Sequence, residues 1–218
     1  MKKLALLALL PLAAAQAEVV DFEGMPVGSA PKGWTITKTD GGADPRWEIV
    51  ADSTSPAGAR VLAQLSEDAT SQRFPLAIHP GGPMKHGAVS VRFKPVSGNV
   101  DRAAGLVWRY LDENNYYLVR ANALEGNVVL YKVEGGRRTS LAPVGKRGEY
   151  GVERSVPADR WSTLRVAFTG PQFVVSFDDQ PLFEVDDATF AGPGRVGVWT
   201  KADSVTYFDE FELLPAVD

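Results

Sequence analysis

The sequence predicts an all-β antiparallel sandwich, and three observations carry that expectation. Residues 161–213 hold three alternating apolar strands separated by short turns, then a glycine-rich connection into two more strands. Successive side chains of a strand point to opposite faces, so a period of two marks half-buried strands. Turn signals recur about every eight to twelve residues along the chain, the spacing of short strands in sandwiches and barrels. Nothing in residues 161–213 has helical spacing, and along the chain only Ser66–Ser71 and Asp186–Phe190 could form short helical turns.

The first segment is expected to lie outside the fold. Lys2 and Lys3 precede an apolar run, Leu4–Ala14, broken only by Pro11. Ala15-Gln16-Ala17 then puts small residues where a signal peptidase reads. Residues 1–17 therefore read as a secretory signal cut after Ala17, and residues 18–218 as one β-sandwich domain, exported to the periplasm or the cell exterior. The run is shorter than the ~20 apolar residues of a membrane span. No membrane span is expected after cleavage. The chain has no cysteine, which excludes a lipid anchor at the cleavage site and any disulfide. Core packing alone must hold the domain together.

Removing 17 of the 218 residues leaves 201, enough for one large β domain with a sizeable core. Loss of Lys2 and Lys3 lowers the basic count from 23 to 21, against 27 acidic residues. The charges are interspersed and form no basic stripe, so nucleic acid is a poor partner.

Strands are expected, in order, near 18–23, 34–38, 46–51, 60–65, 73–78, 87–95, 103–111, 116–122, 127–134, 137–142, 161–168, 172–177, 181–185, 194–200 and 204–213. Gly, Pro, Asp and Asn fill most of the gaps, supplying the backbone angles of tight turns. Residues 146–159 form the longest irregular stretch, a candidate surface loop beside a binding face.

The middle strands permit a face assignment. Asp112-Glu113-Asn114-Asn115 reads as a four-residue hairpin loop pairing Trp108 with Val119. The next two turns pair Asn122 with Asn127, Val119 with Leu130 and Leu130 with Leu141. One face then carries Leu106, Trp108, Val119, Ala121, Val128, Leu130 and Leu141, a core face. The other carries Arg109, Tyr116, Arg120, Asn122, Asn127, Tyr131 and Ser140. Amides that donate and accept, planar guanidinium forks and flat phenol rings suit a sugar's hydroxyl pairs and C–H faces. A merely solvated outer sheet face would look the same.

The segments GLVWRYLDENNYYLVRANALEGNVVLYKVEGGRRTSLA and VGVWTKADSVTYFDEFEL resemble bacterial secreted domains of the concanavalin A-like lectin/glucanase superfamily. Within it they look most like the 3-keto-disaccharide hydrolase-like branch, related to family 16 glycoside hydrolases and to laminin G-like domains. The resemblance implies a jelly-roll sandwich of two curved sheets whose concave face forms a carbohydrate groove. It implies groove residues Arg109, Arg120 and Asn122, with Trp199, Lys201 and Asp203 at the edge. Tyr131 joins them from the face assignment. Family 16 glucanases carry an E-x-D-x-x-E strand, two of whose carboxylates act at about 5 Å separation. The nearest match here is Glu184-Val185-Asp186, with threonine at position 189. The retaining mechanism therefore lacks its third acid.

Other chemistry is thin. His79 and His86 lack zinc-site spacing and read as surface histidines. Asp21 and Glu23 on the opening strand, and Asp209 on the closing strand, would converge if the two strands lie side by side. They could then hold a structural calcium, or be balanced by basic side chains or solvent. No certain cofactor is expected. The function expected is that of an exported carbohydrate-binding or glycoside-acting domain whose partner is a glycan or small glycoside. The alternative is a laminin G-like structural or protein-interaction domain. Whether the chain is an enzyme stays open, since catalysis needs an acid or base facing the substrate.

Overall fold

The computed structural model describes residues 17–216; the expected signal segment, apart from Ala17, lies outside the described residues. Among these there is no helix, and none is long and apolar enough to cross a membrane. The strands run β1 (Glu18–Val20), β2 (Thr35–Asp40), β3 (Trp47–Ala51), β4 (Arg60–Gln64), β5 (Arg73–Ile78), β6 (Gly87–Ser97), β7 (Ala103–Asp112), β8 (Asn115–Asn122), β9 (Asn127–Glu134), β10 (Arg137–Leu141), β11 (Val152–Glu153), β12 (Ser162–Thr169), β13 (Gln172–Phe177), β14 (Gln180–Asp186), β15 (Arg195–Trp199) and β16 (Val205–Pro215). Every expected strand has a counterpart. The addition is β11, inside the 146–159 stretch, which pairs with β9 through Val152 and Val128. Ser66–Ser71 and residues 187–190 form loops rather than helical turns, and Asp186 ends β14.

Two antiparallel sheets face each other as a jelly-roll sandwich. The first orders β14-β13-β12-β6-β16-β4-β3, with β1 also on β16. The second orders β10-β9-β8-β7-β15-β5-β2, with β11 on β9, and it curls like a half-barrel. Between the sheets lies the main core, including Trp47, Phe93, Trp108, Tyr117, Val119, Phe173, Phe208 and Phe211. The expected core face of 106–141 is thus the one that packs inward.

The second sheet buries its other face as well. Along β12 buried and part-exposed residues alternate, whereas β8 is buried at every position after Asn115. Phe74, Leu76, Val107, Tyr116, Leu118, Val129, Tyr131 and Trp199 form a second apolar cluster inside the curl. Phe74 stacks on Trp199 at 5.6 Å. The curl also brings β10 over β5: the Arg138 guanidinium lies 4.7 Å from the Phe74 ring centre and 4.6 Å from that of Tyr131. Gly105 makes this filling possible, since a Cβ there would stand 3.2 Å from Trp199 Cε3 and 2.7 Å from Leu118 Cδ1.

Two registers differ from expectation, each for a local reason. Asp112 pairs with Asn115, so the hairpin loop is two residues, Glu113 and Asn114, and Trp108 pairs with Tyr117. Asp112 Oδ1 accepts from the Asn114 amide and from Asn115 Nδ2, which closes the tighter turn. The surplus residues form a bulge at Arg109–Leu111, and Arg109 takes φ 48°. The opening strand ends at Val20 because Asp21 Oδ1 accepts the Glu23 amide and Phe22 turns to φ 59° into the core.

β1 and β16 do lie side by side, Val20 opposite Phe211. Glu23 Oε1 accepts the amides of Ala59 and Arg60. Asp209 is buried, bonded to Ser55 and to the Glu210 amide. Among the described residues no three His, Cys, Asp or Glu side chains gather as a metal centre. His79, expected on the surface, is instead 4% exposed and packed against Trp34 and Phe211.

Candidate functional site

The concave side of the second sheet draws six of the seven sequence-predicted ligand residues into one neighbourhood and leaves out the seventh. Arg109 lies inside the bulge, which turns its side chain away from Arg120. Its guanidinium donates to the carbonyl oxygens of Phe190 and Gly170 at 2.6 Å each and of Lys85 at 3.2 Å, and stacks on Phe173. It ties three loops together at the end of the sandwich.

Arg120, Asn122, Lys201 and Asp101 form one chain of polar contacts. Arg120 donates to Glu125 Oε2 at 2.6 Å, Asn127 Oδ1 at 2.8 Å and the Tyr150 hydroxyl at 3.0 Å. Asn122 Nδ2 donates to Glu125 Oε1 and Asp101 Oδ1. Lys201 Nζ reaches Asp101 Oδ2 at 2.5 Å. Tyr131 bonds the Tyr150 hydroxyl and lies under Arg120. Burial works to raise the Glu125 pKa, but the Arg120 charge and hydrogen bonds from Arg120 and Asn127 hold it below its ordinary value. Arg120 and Asn122 are each 1% exposed and Trp199 is fully buried. Asp203 accepts the amides of Asn99, Val100 and Asp101. Burial pushes its carboxyl up, and those amides more than offset the push. These side chains therefore spend most of their polar atoms on one another and on the backbone, with Arg120 Nε and Trp199 Nε1 buried without a partner.

Several cavities open beside this network, among them one of about 590 Å³ against Glu125, Asn127 and Tyr150 and one of about 770 Å³ where the curl closes; the latter gathers amides, cations and an aromatic ring. Its lining comes from the end of β2 (Asp40), the approach to β5 and its start (Gln72, Phe74), the β7–β8 turn (Asn114), the β9–β10 turn (Gly135, Gly136), the start of β10 (Arg137, Arg138) and Lys201. The volume lies within the ~300–1,000 Å³ typical of small-ligand sites. Lys201 is the one predicted ligand residue that lines it. Two consecutive φ-positive glycines, Gly135 and Gly136, make the tight turn that delivers Arg137 and Arg138 to the rim. A signal for Arg138 was present in the sequence: it shares strand parity with Ser140 and Tyr131 on the face already singled out. Gln72 and Asn114 carried none, since their approach depends on how far the sheet curls.

The sequence matches no family model and no curated protein. Solved structures do resemble it. Carbohydrate binding module CBM66 from Bacillus subtilis superposes with TM-score 0.62 at 19% identity, covering 86% of this chain and 99% of that one. The cellulose induced protein Cip1 superposes with TM-score 0.58 at 12% identity, covering 89% and 95%. A Bacillus licheniformis beta-glucanase does so with TM-score 0.55 at 12% identity, covering 94% and 100%. At these identities the likeness establishes the fold alone, a jelly-roll β-sandwich.

Proposed function

We propose that this chain is a non-catalytic glycan-binding sandwich that takes a saccharide in the cavity at the closing edge of its curled sheet. The observation that carries the reading is that cavity's lining: the amides of Gln72 and Asn114, the cations of Arg137, Arg138 and Lys201, and the edge of Phe74 around about 770 Å³. Amides and guanidinium forks match vicinal hydroxyls, and an aromatic edge matches sugar C–H groups. Neighbours in fold include a carbohydrate binding module, in line with this use of the scaffold.

Binding is favoured over cleavage because the lining holds one carboxylate, Asp40. Hydrolysis by paired carboxylates needs two, about 5 to 9.5 Å apart. The reading carries an exported location with it, which rests on residues 1–17 alone. The 3-keto-disaccharide hydrolase-like resemblance contributes to this proposal only a ligand class, a small glycoside, and not the cleavage that its name carries.

The test is a glycan-array screen of the purified protein, then calorimetry and product analysis on each hit. Saturable binding without turnover supports the reading. Turnover of a bound glycoside would make it an enzyme, and absence of any glycan hit would remove the proposal.

A further inference from the structure

The cavity carries an electrostatic asymmetry that the chain as a whole does not. The protein has formal net charge −4, yet the lining brings three cations, Arg137, Arg138 and Lys201, against the single carboxylate of Asp40. Lys201 is matched by Asp101. Among the described residues Arg137 and Arg138 make no ion pair. Arg138 is half-buried, and its Nη1 is buried without a hydrogen-bond partner. Its guanidinium is held against Tyr131, Phe74 and, at 5.7 Å, Trp199.

We propose that the cavity selects an acidic saccharide, with Arg138 and Arg137 receiving a carboxylate or sulfate ester of the glycan; this rests on the glycan-binding reading above. Taking a guanidinium out of water without a counter-ion costs free energy, which an anionic ligand recovers. The three aromatic rings fix the plane of the guanidinium before any ligand arrives. A pre-set fork loses little freedom when it forms its paired N–H···O bonds, and oxyanions are its natural partners. Arg137, its neighbour at the same strand end, also lines the cavity and adds positive charge to its rim. A neutral sugar could use the amides of Gln72 and Asn114, but would leave the Arg138 charge uncompensated.

The experiment compares calorimetric affinities for oligogalacturonate, a chondroitin sulfate oligosaccharide, neutral cello- and xylo-oligosaccharides of matched length, and inorganic sulfate. The expected result is at least about tenfold tighter binding of an acidic oligosaccharide than of its neutral counterpart. That preference should shrink as NaCl is raised to about 0.5 M. The uronate and sulfate arms show which oxyanion is preferred. Arg138→Lys keeps the charge and removes the fork, and should lose most of the preference. Arg137→Gln, at an exposed position that folding does not need, should reduce it. Equal, salt-insensitive binding of neutral oligosaccharides overturns this inference and leaves the glycan-binding reading standing. Binding of inorganic sulfate as tight as that of the oligosaccharides overturns it in favour of a simple anion site. Binding of none of the five ligands overturns this inference, and the array screen then decides the glycan-binding reading.

Discussion

Arg109 Nη1 lies 2.6 Å from the carbonyl oxygen of Phe190, joining the bulge of a central strand to the loop before β15. Gly194 sits so close beneath that bulge that a Cβ on it would be 2.4 Å from the Arg109 carbonyl carbon. The contact makes Arg109 a clamp of the scaffold.

Arg109→Met, which keeps the apolar stem and removes all donors, should therefore destabilise the protein by roughly 3 kcal/mol or more, since it strands buried carbonyls that had charge-assisted bonds. Urea denaturation measures it. Glycan affinity of the folded protein should stay within about twofold, because the site lies elsewhere. A stable variant with weakened binding would reverse the assignment.

Gly105→Val should disturb the second core, since its side chain would enter the space of Leu118 and Trp199. Overpacking of this kind costs about 1–3 kcal/mol. Near-ultraviolet circular dichroism should register displacement of Trp199. Gly126→Ala is the control: nothing lies within 4 Å of its Cβ position, although φ is +63°, and only the cost of a left-handed backbone, about 1 kcal/mol, applies. Equal losses for the two would mean that the curl is not tightly filled.

His79 sets a pH dependence. Burial lowers its pKa below the ordinary 6.5 and outweighs the opposing charge of Glu18. The folded state thus binds a proton less readily than the unfolded chain. Stability from this group is fully present above pH 6.5 and is lost as pH falls from there through the lower folded value. His79→Gln should flatten that part of the melting-temperature profile between pH 7 and 5. Asp209 works in the opposite direction, because burial raises its pKa and protonation relieves the cost as pH drops. A wild-type profile without any decline below pH 6.5 would contradict the His79 account.

Much of the fold was legible because alternation is strict. Val119 opposite Leu130 and Asn122 opposite Asn127 follow from turn residues and a period of two, and they place the core face correctly. Alternation says which residues share a face, however, and not what covers it. Arg120, Asn122 and Tyr131 read as a ligand-facing polar face, yet they are buried: Glu125, Asn127 and Tyr150 cap Arg120, Asp101 and Glu125 hold Asn122, and Tyr150 and Arg138 lie against Tyr131. Arg109 went astray through a single bulge, whose backbone turn depends on the loops it grips. The cavity depends on non-local closure, so only Arg138 could have been picked out beforehand by parity. Phe74, on the apolar wall, reads in sequence simply as core.

Trp199→Ala tests whether the second core holds the site in shape. Loss of a fully buried indole costs about 3–5 kcal/mol. Because the indole stacks on Phe74 and lies beside Arg138, ligand affinity should fall together with stability. Unaltered affinity in the folded variant would mean that the cavity wall stands without it.

The most direct measurement is a map of backbone amide chemical shifts during titration with whichever oligosaccharide binds. The account predicts shifts concentrated at Asp40, Gln72, Phe74, Asn114, Gly135, Gly136, Arg137, Arg138 and Lys201, with β12 to β14 of the opposite sheet silent. Shifts centred on the opposite sheet, with the Gly135–Arg138 turn unmoved at saturation, would contradict it.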